Sequence, residues 1–336
     1  MSIRPLLFPI LCLLAFYLLV SATENQSPGD PVQLHFPENW PPPTYDFSKN
    51  PLTREGIELG RRLFYDPVLS RDSTISCASC HLSFTAFTHV DHALSHGIED
   101  RIGTRNSPAL MNLAWAPSFM WDGAISHLDF QALAPISHPS EMDNSIAKAV
   151  QKLAASPKYL TYFQAAFGDS KITGERVLKA LSQFELTLIS ANSTYDQVML
   201  GRVNFTEKEQ NGYRLFQKNC ASCHAEPFFT NFSFERNGLP LDTSLNDFGR
   251  MNITKNAADS LKFKVPTLRN IEFSQPYTHD GRFRKLREVI QYYSQTNALE
   301  RKIELSATGK IDLTAFLLTL TDRTFLFNPD FSFPRE

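Results

Sequence analysis

The sequence predicts a mainly α-helical protein built from two related halves, and three observations support this fold class. The pentapeptide CASCH occurs twice in the 336 residues, at 77–81 and at 220–224. The segments that flank the two copies resemble each other, and the stretches between them repeat apolar residues at helical spacing. Because several segments recur in the same order, we expect two domains of one architecture that are related by internal duplication.

Helices are predicted upstream of both pentapeptides. LTREGIELGRRLF (52–64) precedes the first copy, and FTEKEQNGYRLF (205–216) precedes the second. Each segment contains a threonine suited to cap a helix N-terminus, Thr53 or Thr206, and Glu209 completes a capping box with Thr206. Each half therefore starts with a capped helix that leads into its pentapeptide.

A second pair of similar segments follows the pentapeptides. PALMNLAWAPSFMWDG (108–123) aligns with PTLRNIEFSQPYTHDG (266–281), and Pro, Leu, Asn, Asp and Gly recur at the same offsets. Trp121 stands in the first segment where His279 stands in the second. The two halves thus share a capped helix, a pentapeptide, a P-x-L-x-N stretch and a DG turn.

Between the repeated segments, further helices are predicted. NSIAKAVQKLAAS and ERVLKALSQFELTLIS each carry apolar residues on one face, and DLTAFLLTL (312–320) is predicted to be a closing core helix. WPPPTYDFSKNP (40–51) is typical of an extended, proline-rich lead-in. We therefore divide the chain into a leader (1–22), the lead-in (23–51), an N-terminal domain (52–204) and a C-terminal domain (205–336).

The leader has the features of a secretory signal peptide. Arg4 precedes an apolar stretch at 6–20, and the small residues Ser21 and Ala22 follow it. The stretch is short for a membrane span, and an uncleaved N-terminal anchor is the alternative. Cys12 lacks the small residues that precede a lipoprotein cysteine. We therefore expect an exported, periplasmic protein whose remaining cysteines all lie in the two pentapeptides.

The arrangement of these cysteines indicates covalent c-type haem. Two cysteines this close together cannot staple a fold by a disulfide, a zinc site would need further ligands, and a thioredoxin-like pair would not need the histidine. In c-type attachment the two thiols form thioethers with the haem, and the histidine binds the iron. The expected attachment residues are Cys77, Cys80 and His81 in the first half, and Cys220, Cys223 and His224 in the second.

Length and charge narrow the class of protein further. The chain is long enough for two domains with proper cores. Its formal net charge of −2 argues against nucleic acid or an anionic membrane surface as a partner.

The chain resembles the bacterial di-haem cytochrome c peroxidase family, which includes the methylamine-utilisation protein MauG. The resemblance spans residues 52–320 and depends on an ordered set of motifs: LGRRLFYDPVLSRDSTISCASCH, GTRNSPALMN, WDG, Q-x3-P, EM, the second CASCH, VPTLRN and YTHDGRF. In that family the N-terminal haem reacts with peroxide, and the C-terminal haem receives or stores electrons. The resemblance implies these roles for the haems of His81 and His224.

The resemblance also implies which side chains handle protons and electrons. Glu141 matches the acid–base glutamate of the family and Gln131 its companion, while Trp121 matches a tryptophan between the haems. An apolar haem pocket would raise the pKa of Glu141 towards neutrality, so that it could accept and return a proton. Taken alone, Glu141 reads as an exposed glutamate and Trp121 as a packing residue.

A calcium site is implied in the same way. Asn106 matches a calcium ligand of the family, together with the backbone carbonyls of Ser274 and Pro276. Calcium prefers hard oxygen ligands, and a site that joins both halves would fix the haem–haem geometry.

The distal ligand of the first haem is left open. In the family a loop histidine binds this haem in the resting state, and His96 lies in the corresponding loop, ALSHGIEDR. His89 and His92 are the alternatives, and a solvent-exposed loop histidine without this role is a further one. Other histidines are interpreted as surface or structural residues: His35, His127 and His138.

The distal ligand of the second haem is open as well. The peroxidases use a methionine there, whereas MauG has a tyrosine, and the matching position in LREVIQYYSQ is Tyr293. Tyr292 is adjacent, and Met251 is the nearest methionine of that half. A phenolate ligand favours ferric and higher iron states and lowers the potential. The alternative is that both tyrosines pack against haem edges.

Three functions follow from these residues. The first is reduction of hydrogen peroxide to water, with electrons from a small redox protein such as cytochrome c. The second is a MauG-like reaction, in which peroxide oxidises side chains of a protein partner at a distance. The third is a non-catalytic di-haem electron carrier, which would leave Glu141 and Gln131 without a role. The expected cofactors are two covalent haems and one calcium ion, and the sequence allows a homodimer.

Overall fold

The computed structural model describes residues 29–295, 299 and 303–335, and within them the chain is mainly helical. The α-helices are α1 (Arg54–Tyr65), α2 (Cys77–Cys80), α3 (Leu133–Ser137), α4 (Ile146–Ala154), α5 (Pro157–Phe167), α6 (Gly174–Leu186), α7 (Thr194–Met199), α8 (Glu207–Asn219), α9 (Met251–Thr254), α10 (Leu286–Gln295), α11 (Ala307–Leu318) and α12 (Arg323–Leu326). Short 3₁₀ turns are Pro67–Leu69, Ser83–Thr85, Ile98–Asp100, Leu113–Trp115, Leu128–Phe130, Ala257–Asp259 and Pro329–Phe331. The predicted helical class is confirmed, whereas internal duplication stays a prediction.

A small antiparallel sheet lies in the second half. Its strands are β1 (Phe234–Arg236) and β2 (Lys262–Lys264), and Phe234 pairs with Lys264 in the register. None of the helices in the described ranges is long and apolar enough to cross a membrane. The predicted leader, 1–22, lies outside the described residues.

The first half is organised around the packing of α1 against α6. The predicted N-cap is confirmed, since Thr53 Oγ1 accepts a hydrogen bond of 3.0 Å from the Gly56 amide. A Cβ atom at Gly60 would lie 1.9 Å from the carbonyl oxygen of Ala180 on α6. The backbones of the two helices therefore meet directly, and Phe184 on α6 is fully buried beside this contact.

The second half contains a similar helix pair, α8 and α11. Thr206 and Glu209 form the predicted capping box at the start of α8. A Cβ atom at Gly212 would lie 1.9 Å from the carbonyl oxygen of Asp312 on α11, next to the buried Phe316. In both halves, therefore, the helix before CASCH reaches its partner through a glycine.

Aromatic rings close the boundary between the halves. Trp40 packs edge-on against Trp115 of the first half, with 5.1 Å between ring centroids, and against Phe228 of the second half, with 4.8 Å. All three rings are buried. The described part of the lead-in is thus an ordered component of the core, and large apolar rings of this kind dominate core energetics.

Trp40 also covers a buried ion pair that the sequence does not reveal. Arg269 is fully buried and donates to both carboxylate oxygens of Asp196, at 2.9 and 2.8 Å. Its guanidinium carbon lies 4.8 Å from the Trp40 ring centroid and 5.6 Å from that of Phe229. Asp196 balances the buried charge of Arg269, and the Arg269 Nε atom donates a further 2.8 Å hydrogen bond to the carbonyl of Pro227.

Two segments pack across the predicted domain limits of 52–204 and 205–336. Tyr195, before the limit, is buried in the core of the second half. At the other end of the chain, Phe325 and Leu326 are buried in the core of the first half. Arg61 on α1 holds this returning segment by hydrogen bonds of 2.8 Å to the carbonyls at 329 and 332. The two halves therefore exchange segments at both limits.

Candidate functional site

The first CASCH forms a single helical turn that aims its histidine at one carbonyl. Cys77 begins the turn, and Ser76 and Ser79 cap it reciprocally. His81 follows the turn, and its Nδ1 atom lies 2.7 Å from the carbonyl oxygen of Phe87. Because a carbonyl can only accept, Nδ1 carries the proton and Nε2 is left as the ligating atom.

Burial keeps this imidazole neutral. It lowers the pKa of His81 to about 4, which suits a ligand that binds iron without a proton on Nε2. None of the four cysteines in the described ranges forms a disulfide, so the thiols of Cys77 and Cys80 are both available for attachment. These residues therefore fit one covalently bound c-type haem.

The second CASCH repeats this arrangement at the end of α8. His224 Nδ1 lies 3.1 Å from the carbonyl oxygens of both Phe229 and Pro266, so Nε2 is again the free ligating atom. Burial lowers the pKa of this histidine as well. Both pentapeptides thus present a thiol pair and an oriented imidazole.

A cavity of about 310 Å³ opens beside the second pentapeptide. Its walls include Cys220, Cys223 and His224, and much of the remaining surface comes from apolar side chains, among them Leu268, Leu286, Val289, Ile290, Leu313 and Leu317. A large, flat, apolar macrocycle suits such walls. In the described part of the chain, no three His, Cys, Asp or Glu side chains come together as a metal cage.

Three of the predicted site residues meet next to the first pentapeptide. The Cys80 sulfur lies 3.4 Å from the carbonyl oxygen of His96. The Ile98 amide, two residues further on, donates a 2.8 Å hydrogen bond to the carbonyl oxygen of Glu141. Burial raises the pKa of the Cys80 thiol to about 11, and the charge of Glu141 adds to this shift. The loop with His96 therefore lies between CASCH and Glu141.

The carboxyl group of Glu141 is in a partly desolvated position. Its side chain is 29% exposed, and burial raises its pKa. His138 Nδ1 lies 3.9 Å from Glu141 Oε1 and acts in the opposite direction. The sequence interpretation treated His138 as an ordinary surface residue. In the structure, its imidazole lies close enough to Glu141 to lower the pKa of this carboxyl.

Gln131 lies in a different contact. Its Nε2 atom is 3.6 Å from the sulfur of Met120, next to Trp121, and no hydrogen bond joins it to Glu141. The structure therefore brings Gln131 close to the WDG turn rather than into contact with the predicted acid–base carboxyl.

The three candidate loop histidines form a stack. The ring centroids of His89 and His92 are 4.9 Å apart, and those of His92 and His96 are 4.0 Å apart. Of the three, His96 lies beside Cys80, whereas His92 is exposed. The Nδ1 atom of His89 is buried, and none of the described residues forms a hydrogen bond with it. The spacing of these histidines along the chain does not predict that their rings pack against each other.

Charged side chains hold the turn that follows His96. Arg71 and Arg101 each pair with both Glu99 and Asp143, and the contacts to Asp143 measure 2.6 and 2.9 Å. Because Asp143 follows Glu141 by two residues, this ring of charges ties the His96 loop to the segment with the acid–base candidate. Each pair is partly exposed, so its contribution to stability is small.

Trp121 is held by a hydrogen bond at the cavity of the second CASCH. Its indole N–H donates a 2.8 Å hydrogen bond to the carbonyl of Asn106, and its side chain lines the cavity of the second CASCH. Pro108, two residues beyond Asn106, lines the same cavity, and its carbonyl also raises the pKa of His81. A short path of side chain and backbone therefore connects the surroundings of His81 with those of His224.

An ion-pair network fixes this region, and sequence reasoning missed it. Arg105 pairs with Asp122 of the WDG turn at 2.6 Å and with Asp247 of the second half at 2.6 and 2.9 Å. The Asn106 amide donates a 2.6 Å hydrogen bond to the carbonyl of His279. The separations along the chain are too large for a local sequence signal.

The three predicted calcium ligands, Asn106, Ser274 and Pro276, line the same cavity. Asn106 Nδ2 donates a 3.0 Å hydrogen bond to the carbonyl of Ala93, so its Oδ1 is the atom suited to a cation. Neither of the two carbonyl oxygens, at 274 and 276, accepts a backbone hydrogen bond from the described residues.

Tyr293 lies at the cavity of the second CASCH, on the same wall as Cys220 and Cys223. Burial raises the pKa of its phenol, so the protein alone favours the neutral form and only a bound cation would favour the phenolate. Tyr292 instead packs against Phe283, with 5.5 Å between ring centroids. Met251 lies on α9 and does not line the cavity.

Two CxxCH motifs, each with a thiol pair and an oriented imidazole, define a di-haem protein of the c type. A model of the di-haem cytochrome c peroxidase family matches residues 54–204. The cytochrome c551 peroxidase of Nitrosomonas europaea is 36% identical over 289 residues, which is 84% of each chain. The MauG protein of Methylorubrum extorquens is 36% identical over 298 residues, with 84% of this chain and 82% of MauG covered.

Solved structures agree with these relatives. A MauG-like protein associated with microbial copper homeostasis superposes with a TM-score of 0.82 and 32% identity, over 90% of this chain and 99% of that one. The chain therefore belongs to the di-haem cytochrome c peroxidase family, as the resemblance in its motifs indicated. Membership makes it a haem-dependent oxidoreductase of the peroxidase type and implies two c-type haems.

Proposed function

We propose that this chain reduces hydrogen peroxide to two water molecules. The reaction takes up two protons, and a small redox protein such as a c-type cytochrome supplies the two electrons. The observation that carries this proposal is the meeting of Cys80, His96 and Glu141 next to the first CASCH. A carboxyl group with a raised pKa at that position suits proton transfer, and a simple electron carrier has no use for it.

In this proposal Glu141 moves the proton. When bound at His81, haem supplies the iron that activates peroxide. Glu141 accepts a proton from the peroxide and donates it to the oxygen that leaves as water. A carboxyl group can do both only if its pKa lies close to the working pH, and partial burial moves the pKa of Glu141 in that direction.

Trp121 serves as the electron path in the proposal. Its indole N–H is hydrogen-bonded to the carbonyl of Asn106, and Pro108, two residues further on, lies beside both pentapeptides. One long electron transfer between the haems thereby becomes two shorter ones. The second haem, held by Cys220, Cys223 and His224, is the entry point for electrons. Gln131, next to Met120 and Trp121, contributes to this region rather than to proton transfer.

A second candidate function is favoured by Tyr293. If its phenol binds the second iron, that haem holds oxidising equivalents better than it accepts electrons from a cytochrome. The substrate would then be the side chains of a protein partner, as a MauG-like reaction requires. The location of Tyr293 at the cavity wall, and of Met251 away from it, supports this alternative.

Further parts of the proposal concern assembly. We infer that Asn106, Ser274 and Pro276 hold one calcium ion and that His96 is the distal ligand of the first haem. We also infer that domains 52–204 and 205–336 arose by duplication, which the matching glycine contacts of α1 and α8 support. A signal peptide at 1–22 would direct the protein to the periplasm and would then be removed.

Peroxide consumption tests the proposal and separates the candidates. Purified di-haem protein is supplied with peroxide and a reduced small c-type cytochrome, and the same assay is run without a donor. Donor-dependent turnover of peroxide supports the peroxidase. Slow consumption that the cytochrome does not accelerate points to the MauG-like alternative, and absence of consumption in both assays points to the electron carrier.

A further inference from the structure

One residue of the second half holds both ends of the segment that leads to Trp121. The backbone amide of Lys264 donates a 2.7 Å hydrogen bond to the carbonyl of Trp121. The ammonium group of the same residue donates a 2.9 Å hydrogen bond to the carbonyl of Ser118. Lys264 therefore binds both ends of the segment 118–121. Its ammonium group binds the first residue, and its backbone amide binds the last.

The surroundings of Lys264 make this attachment rigid. Lys264 lies on β2 opposite Phe234 of β1, and Phe234 packs against Gly123 of the WDG turn. Arg250 adds a 3.0 Å hydrogen bond to the carbonyl of Asp122. The small sheet of the second half thus packs against the WDG turn of the first half, which carries the indole of Trp121.

Among the residues that the structure describes, no carboxylate forms an ion pair with Lys264. The nearby Asp122 is bound by Arg105 at 2.6 Å, and the Lys264 ammonium bonds to a carbonyl instead. Burial lowers the pKa of this lysine to about 8. A lysine is seldom kept in such surroundings for stability alone, since a methionine would fill the space without the cost of desolvation.

We propose that Lys264 is a positioning residue for electron transfer through Trp121, because its two hydrogen bonds fix the indole relative to the cavity of the second CASCH. The inference depends on the proposed role of Trp121. In each transfer the indole gives up one electron towards the His81 side and regains one from the His224 side, so that Trp121 is unchanged at the end. Its N–H stays bonded to Asn106 throughout.

The test compares Lys264→Met, which removes the ammonium bond, with Lys264→Arg, which keeps a cationic donor. Lys262→Met is the matched control, because Lys262 lies on the same strand but pairs with Asp259 at 3.4 Å. Electron transfer between the haems is followed optically after rapid one-electron reduction. Ultraviolet resonance Raman spectra of the indole report its hydrogen bond, and a Trp121→Phe difference spectrum assigns the signal.

We expect Lys264→Met to slow transfer between the haems several-fold, because the rate of electron transfer falls steeply as the indole moves away from its path. Lys264→Arg should restore most of the rate, and Lys262→Met should match the wild type. The indole band should shift in Lys264→Met, and it can be read even in protein that has lost haem. If Trp121→Phe slows transfer between the haems but Lys264→Met transfers electrons at the wild-type rate, or leaves the indole band unshifted, the role of Lys264 is overturned. The electron path through Trp121 then stands. A wild-type rate in Trp121→Phe instead overturns the electron path itself.

Discussion

The sulfur of Cys80 lies 3.4 Å from the carbonyl oxygen of His96, although 16 residues separate them in the chain. This contact brings the loop histidine to the first CASCH, and the hydrogen bond from Ile98 to Glu141 adds the acid–base candidate to the same place. The chemistry proposed for this chain therefore depends on how the loop that contains His96 and the 3₁₀ turn Ile98–Asp100 is held in place.

Replacement of Cys77 and Cys80 by alanine should leave one haem on the chain. Both thiols are free of disulfides and stand next to an imidazole whose Nε2 is available, so each pentapeptide should attach its haem independently. Haem-stained denaturing gels and the intact mass check this prediction. The matching replacement of Cys220 and Cys223 should also leave one haem, and full loading of either variant would contradict the assignment.

Glu141→Gln should lower peroxide turnover by roughly 10²–10⁴, the usual contribution of a general acid–base group. Glutamine keeps the size and the hydrogen bonding but cannot take up the proton. Haem content should stay unchanged. His138→Gln is the comparison, and it should change turnover far less because it leaves the carboxyl in place.

The pH profile gives an independent check on Glu141. Burial raises the pKa of this carboxyl, and a base must be deprotonated to act, so wild-type turnover should fall as the pH drops through the raised pKa. His138→Gln removes the neighbour that lowers this pKa, and should move the fall to a higher pH. A profile that keeps its acidic limb in Glu141→Gln would assign that limb to another group.

Tyr293→Phe should change the absorption and EPR spectra of the second haem, whereas Tyr292→Phe should not. Tyr293 lies on the cavity wall with Cys223, and Tyr292 faces Phe283 instead. If the phenolate holds the ferric state, Tyr293→Met should also raise the midpoint potential of that haem. Identical spectra for Tyr293→Phe and the wild type would remove tyrosine as an iron ligand.

Asp196→Ala should lower the free energy of unfolding by about 3–5 kcal/mol, because it leaves the buried guanidinium of Arg269 without its carboxylate. Thermal or denaturant unfolding of the haem-loaded protein measures the loss. Asp169→Ala breaks an exposed pair with Arg176 and should be much less harmful, since solvent screens that pair. Equal losses in the two variants would mean that burial of Arg269 does not set its dependence on Asp196.

Local features of the site were predictable from the sequence. CASCH fixes the spacing of the thiols and the imidazole, and the threonines before α1 and α8 start their helices as expected. Tyr293 lines the cavity of the second CASCH, and its role as an iron ligand stays a prediction. Each of these signals lies within one helix or one short motif.

Contacts between distant residues were not predictable. Arg105 and Asp247 are 142 residues apart, and the grip of Lys264 on Ser118 spans 146. Nothing in the neighbourhood of either residue along the chain reports the partner, because the contact arises only when the two halves pack together. The place of Gln131 beside Met120 has the same origin, since its contact depends on how the WDG turn is held.

The return of the final segment to α1 has a consequence for folding. Phe325 packs 6.0 Å from Phe87, next to His81, and the carbonyl of Phe331 accepts a hydrogen bond of 2.6 Å from Tyr65. The first core is therefore incomplete until the last part of the chain has been synthesised. A nascent chain released early would keep that core open to water, and chaperones and proteases could recognise the apolar surface it exposes. The core around His81 can therefore close only after the whole polypeptide has been completed.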